Sequence, residues 1–126
     1  MKNTIISIIL FVLLVTGLTY INNKFTNLCS DLIDKSNEIE KLLDKKELDT
    51  AYTKSLELLE YINSKDFIPS IYLNHIDYDD LINECLKLCV YIKREDIAEA
   101  SASLDLIEFS CEHLIKIQKI NLKNIL

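Results

Sequence analysis

The stretch TIISIILFVLLVTGLTYI, Thr4 to Ile21, constrains the fold most: 18 residues without a charge. As a helix it covers roughly 27 Å, just enough for the hydrocarbon core of a bilayer. Its polar members Thr4, Ser7, Thr16 and Thr19 can return hydrogen bonds to helix carbonyls. Tyr20 stands where an interfacial aromatic belongs, with Lys24 just beyond it. The stretch reads as a retained single transmembrane anchor. Two other readings compete. A cleaved signal peptide would use Val15-Thr16-Gly17, yet there is no A-x-A site and only Lys2 ahead of the run. A buried core helix would need a domain large enough to enclose a helix apolar on all sides, and the rest of the chain is too small.

That remainder is acidic. Residues 1–21 hold Lys2 and no acid, so 13 basic and 20 acidic side chains lie beyond them, a balance of −7. Such a domain lacks the cationic surface that phosphate backbones require, which argues against nucleic acid as a partner. It should also be repelled by anionic headgroups. Lysines are nearly balanced across the span, Lys2 before it and Lys24 and Lys35 after it. A short N-terminus normally stays inside, which puts the helical domain outside the cell membrane.

With one Gly, one Pro and no Trp, the chain is poor in the turn residues that sheets and phosphate loops need. From Leu28 its apolar residues recur at three and four, the helical period. One segment carries Leu28, Leu32, Ile39 and Leu42/Leu43, and a second carries Leu48, Ala51/Tyr52, Ser55/Leu56, Leu58/Leu59 and Ile62. Pro69 then breaks the pattern, and Ser70 or Asn74 can cap the next helix. A third segment carries Tyr78, Leu81/Ile82, Cys85, Leu88/Cys89 and Ile92, and a fourth Ile97, Ala100, Leu104, Ile107, Cys111 and Leu114.

The halves align at an offset of 49, with KKELDTA (Lys45–Ala51) on REDIAEA (Arg94–Ala100). Each half is a helix, a short polar turn and a second helix opening acid-apolar-x-x-Ala, reminiscent of a tetratricopeptide helix though not at its 34-residue period. The expected fold is all-α: an N-terminal transmembrane helix, then about four antiparallel helices in two TPR-like hairpins. The expected domains are an anchor over 1–21, a juxtamembrane segment over 22–27 and the acidic helical domain over 28–126. No Gly or Pro intervenes between Tyr20 and Ser64, so the anchor can run on as one long helix.

Candidate chemistry is confined to thiols. Cys85 and Cys89 share a helix face, and Cys111 lies on the apolar stripe of the next helix. All three occupy positions that want an apolar residue, where free Cys serves as a small hydrophobe. The alternative is a redox pair or metal site built from Cys85, Cys89 and Cys111. Cys-x-x-Cys knuckles are absent, and His113, two residues after Cys111, points away. Cys29 stands alone near the membrane. His75 reads as a solvated turn residue, and DYDD (Asp77–Asp80) as helix N-terminal charge lacking the Gly and distal Glu of a calcium loop. Glu38 and Lys41 read as a solvated helix pair. Nothing assembles a nucleophile, a base and an oxyanion site, so no enzyme activity, cofactor or resident metal is expected.

The closing IKIQKINLKNIL, Ile115 to Leu126, alternates Ile115/Ile117 and Ile120/Leu122. The fourth helix is therefore expected to end near Ile115–Gln118. The tail would fold back extended, with Ile120, Leu122, Ile125 and Leu126 as a clamp over the bundle or a surface for a partner.

Three stretches carry a resemblance: MKNTIISIILFVLLVTGL, KKELDTAYTKSLELLEYI and EHLIKIQKINLKNIL with its terminal Leu-x-Asn-Ile-Leu. They resemble a family of small bacterial proteins, domain-of-unknown-function family 4363. Leu48 replaces an aromatic common in that family, and IKIQ replaces its Pro and acidic turn. The resemblance implies an anchored helical protein beside a multispanning membrane protein, and it brings no catalytic residues. The reading is thus a non-enzymatic, single-pass accessory or interaction module. It would meet lipid through its first helix and bind a membrane protein or a second copy of itself. The alternatives are a thiol-based redox or metal sensor and a secreted helical protein released by signal cleavage.

Overall fold

The computed structural model describes residues 1–65 and 75–125; the side chains of His75, Ile76, Asn121, Leu122 and Ile125 are outside that description. Four helices run in order: α1 (Lys2–Asp44), α2 (Leu48–Ser64), α3 (His75–Lys93) and α4 (Ile97–Ile125), with no strand among the described residues. The N-terminal apolar stretch does run on without a break. α1 is 43 residues long, and its N-terminal part is the one described helix long and apolar enough to cross a membrane. Its apolar window is wholly unburied, so it is not a core helix. Thr16 and Thr19 donate to the carbonyls of Val12 and Val15 at 2.8 and 2.9 Å, satisfying their hydroxyls within the helix.

The helices pack in a closed cycle, α1 on α2, α2 on α3, α3 on α4 and α4 back on α1, with no diagonal contact among the described residues. This is an up-down-up-down bundle. A solenoid of stacked hairpins would leave the first and last helices apart. α1 supplies both the protruding apolar stretch and the first wall of the bundle, so the described residues form four helices rather than five.

The offset of 49 is written into the turns. Lys46 and Glu95 both take the left-handed conformation, φ 59° and 60°. In the first turn the Lys46 N–H donates to Leu43 O, and Glu47 N–H to Leu42 O. In the second, Glu95 N–H donates to Ile92 O, and Asp96 N–H to Tyr91 O. These are two copies of the Schellman closure, which satisfies the last carbonyls of a helix. Ala51 and Ala100, again equivalent, are fully buried at the start of α2 and α4 and let the backbones approach.

The core is the predicted stripe with amendments. Leu28, Leu32, Ile39, Leu43, Ala51, Leu58 and Ile62 are buried, as are Leu81, Leu88, Ile92, Ala100, Leu104, Ile107 and Leu114. Leu56 and Ile97, expected on the stripe from their spacing, are exposed. Phe25, Cys29 and Ser36 join it. On α1 the covered positions therefore run Val15, Leu18, Asn22, Phe25, Cys29, Leu32, Ser36, Ile39, Leu43, an unbroken 3-4 heptad pattern.

At the end of the bundle nearer the apolar stretch, the Tyr61 hydroxyl donates to Asp31 Oδ2 at 2.7 Å, joining α2 to α1. The buried Tyr78 hydroxyl donates to the Ile62 carbonyl, joining α3 to the end of α2. Glu38 does not pair with Lys41; Lys54 of α2 reaches it at 3.7 Å and holds Glu57 at 3.3 Å. The break expected at Pro69 and the caps expected at Ser70 and Asn74 lie outside the described residues.

One expectation fails outright. The fourth helix does not stop near Ile115–Gln118, and no extended tail folds back; α4 continues to Ile125. The alternation Ile115/Ile117 misled because the true stripe passes through a polar residue. Leu114 and Gln118 are both buried, keeping the helical period. Ile120 is 58% exposed rather than clamped. The side chains of Leu122 and Ile125, and Leu126 altogether, lie outside the described residues.

Candidate functional site

The thiols are the place to look for chemistry. Cys29, Cys85, Cys89 and Cys111 are all free and all buried. Cys85 and Cys89 lie one turn apart on α3, and Cys111 projects from α4 into the same core. Cys29 is not alone. Its thiol neighbours that of Cys111 across the α1–α4 interface, closely enough to raise the Cys111 pKa. Sequence reasoning passed over it because the periodic stripe was counted only from Leu28 and a thiol beside the span looked peripheral. Its heptad spacing to Ser36 and Asn22 carries the missing signal.

The environment makes these thiols poor nucleophiles. The adjacent Cys29 thiol, with burial and the neighbouring Cys85, pushes the Cys111 thiol far above its ordinary range. Burial, with Cys89 and Glu84 nearby, raises Cys85 from 9.0 to about 12. Burial raises Cys89 as well, opposed in part by a hydrogen bond with Ser55. Thiolate is the form that attacks and the form that binds metal, and each shift disfavours it. Among the described residues no group of three or more His, Cys, Asp or Glu side chains is arranged to hold a metal ion.

The other polar candidates are on the surface. Asp77, Asp79 and Asp80 occupy the first turns of α3, exposed and splayed by the helix. His113 is exposed and stacks on Phe109, ring centroids 6.1 Å apart and planes 4° from parallel. Glu108 is pushed up by burial and by the nearby carboxylates of Glu40, Asp105 and Glu112.

A surface feature had no counterpart in the sequence reading. The outer face of the α3–α4 hairpin exposes Leu86 (49%), Val90 (41%), Leu106 (50%) and Phe109 (66%). Leu86 and Leu106 line one groove between the two helices, and Phe109 and Ile117 line its continuation, with Asp80 and Ser110 common to both. Asp77 and Asp80 edge it with negative charge, while Lys87, also on its rim, pairs with Glu84 at 3.1 Å. It escaped notice because Leu86 and Phe109 fall off the core stripe, where single apolar residues are ordinary; only the hairpin brings them together.

Among the described residues, fold and site define a closed antiparallel four-helix bundle whose first helix has a protruding apolar half. The chain belongs to the family described as Domain of unknown function (DUF4363), whose profile matches residues 19–125. No curated protein and no solved structure matches it.

Proposed function

We propose that this chain is a non-enzymatic, single-pass membrane protein whose bundle serves as an accessory or interaction module for a membrane partner. The observation that carries the reading is the continuity of α1. Its first turns, Ile5 to Leu14, stand bare of protein, while the same helix from Phe25 to Leu43 is a wall of the core. In water that bare surface would far exceed what a soluble monomer leaves exposed. A bilayer covers it. The α3–α4 groove supports the second half of the reading, because its apolar floor and acidic edge suit an apolar partner surface with basic flanks. That partner is another membrane protein, or a second copy.

Phe109→Glu and Leu106→Glu test the groove. Both side chains are exposed, so melting should stay within about 0.5 kcal/mol of wild type. Partners that co-purify with the full chain in mild detergent should be lost from both variants. Retention of the same partners by both would remove the groove from the account. A thiol sensor is disfavoured by the raised and buried thiols. A secreted protein is disfavoured by the partial burial of Val15 and Leu18, which cleavage after Gly17 would disturb.

A further inference from the structure

α4 is longer than the bundle needs. By the repeat, its position equivalent to Ser64, the end of α2, is His113, yet the helix goes on twelve residues to Ile125, about 18 Å further. The contact between Cys29 and Cys111 sets its register on α1. One heptad nearer the membrane from each thiol lie Asn22 and Gln118. Two heptads on, the end of α4 at Ile125 is level with Val15, inside the apolar span. The burial of α1 agrees: Val15, Leu18, Ile21 and Asn22 are partly covered, whereas Ile5 to Leu14 are open.

The charge of this extension is opposite to that of the bundle. From His113 to the end the chain has Lys116, Lys119 and Lys123 and no acid. Spaced at three and four, these lysines share one face of α4, away from the buried Leu114 and Gln118. Ile120 sits among them, 58% exposed. On α1, Lys24 is level with Lys116 by the same register and lies over the Tyr20 ring at 5.5 Å. In water an isoleucine ringed by lysines beside a bare apolar helix has no covering. At a bilayer boundary each group finds its medium: Ile120 meets acyl chains, and the lysine stems extend while their ammoniums reach phosphates.

We propose that the last turns of α4, through Lys116, Lys119, Ile120 and Lys123 with Lys24 of α1, form a second membrane contact seated on anionic lipid headgroups beside the anchor. This rests on the reading that α1 spans a bilayer. The acidic bundle is then repelled from the surface as a whole and held to it at one basic edge, which fixes its tilt.

The chain has no Trp, so Ile120→Trp introduces a sole fluorescent reporter, and Phe109→Trp, further from the membrane, is its control. Each full-length protein is reconstituted into vesicles of phosphatidylcholine alone, or of phosphatidylcholine with phosphatidylglycerol, carrying brominated acyl chains. The proposal expects quenching of the Ile120→Trp signal that deepens with phosphatidylglycerol, and little quenching of Phe109→Trp. Lys116→Glu/Lys119→Glu/Lys123→Glu in the Ile120→Trp background should abolish the phosphatidylglycerol effect. Loss of that effect counts only if helicity and melting are retained; the comparison of the two lipid mixtures stands without this variant. Quenching equal in both lipids, or no greater than for Phe109→Trp, overturns the second contact while leaving the anchor intact. Release of the protein from the vesicles by alkaline carbonate overturns the anchor and the contact together.

Discussion

Ser36 and Cys85 occupy the same place in the two halves of the repeat, and both are fully buried. The thiol suits the site; the hydroxyl does not, since Ser36 Oγ has no hydrogen-bond partner among the described residues. Ser36→Ala should therefore be neutral or stabilising by up to about 1 kcal/mol in denaturant unfolding. A loss of more than about 1 kcal/mol would show that the hydroxyl is satisfied after all. The thiols give a second expectation. Cys85, Cys89, Cys111 and Tyr61 all hold their protons more tightly in the folded protein than their ordinary values. For Tyr61 the cause is burial first, then the Asp31 carboxylate. Such groups contribute their full stability below the unfolded pKa and lose it as pH climbs toward the folded one. The melting temperature should thus fall steadily above about pH 9, and Cys85→Ala, though less stable at neutral pH, should show a shallower fall. A melting temperature flat from about pH 8 to about pH 11 would contradict this placement of the thiols.

At the scale of the element, the duplicated turn is the clearest test of the repeat. Lys46 and Glu95 each hold a left-handed conformation that costs a side-chain-bearing residue about 1 kcal/mol. Lys46→Gly and Glu95→Gly should each be stabilising by roughly 0.5–1 kcal/mol, because glycine is the usual residue at this cap. Destabilisation by either would mean that its turn differs from the closure described. Helix by helix, most of the fold was legible. The period of three and four located α2, α3 and the start of α4, and the absence of Gly and Pro after Tyr20 left α1 free to run on past the apolar stretch. What the pattern hid were the positions where the core stripe carries a polar or sulfur residue. Cys29 and Ser36 on α1 and Gln118 on α4 were thereby passed over. Asn22 and Gln118 each bury a carboxamide atom without a partner, Oδ1 and Nε2 respectively, on facing heptad positions. Reading Gln118 as polar ended α4 too early and turned a helix into a strand-like tail. The groove of Leu86, Leu106 and Phe109 was illegible for another reason: its two walls are twenty or more residues apart in sequence and meet only when the hairpin closes.

For the whole molecule, one helix unites two environments. The half of α1 beyond Phe25 is held by α2 and α4, so on the proposed reading the orientation of the bundle is set by the orientation of the span. A flexible linker between anchor and domain would allow the bundle to swing, and an unbroken helix does not. On the proposed reading the groove on α3–α4 then faces a fixed direction relative to the membrane, which would suit a partner fixed in the same bilayer. All of this depends on α1 remaining intact and embedded. The most direct measurement is alkaline carbonate extraction of membranes containing the native protein, with intact-mass spectrometry of the fraction that stays behind. The account predicts that the protein remains in the membrane pellet with its Met1 end present. A chain recovered in the supernatant and beginning near Leu18 would contradict it.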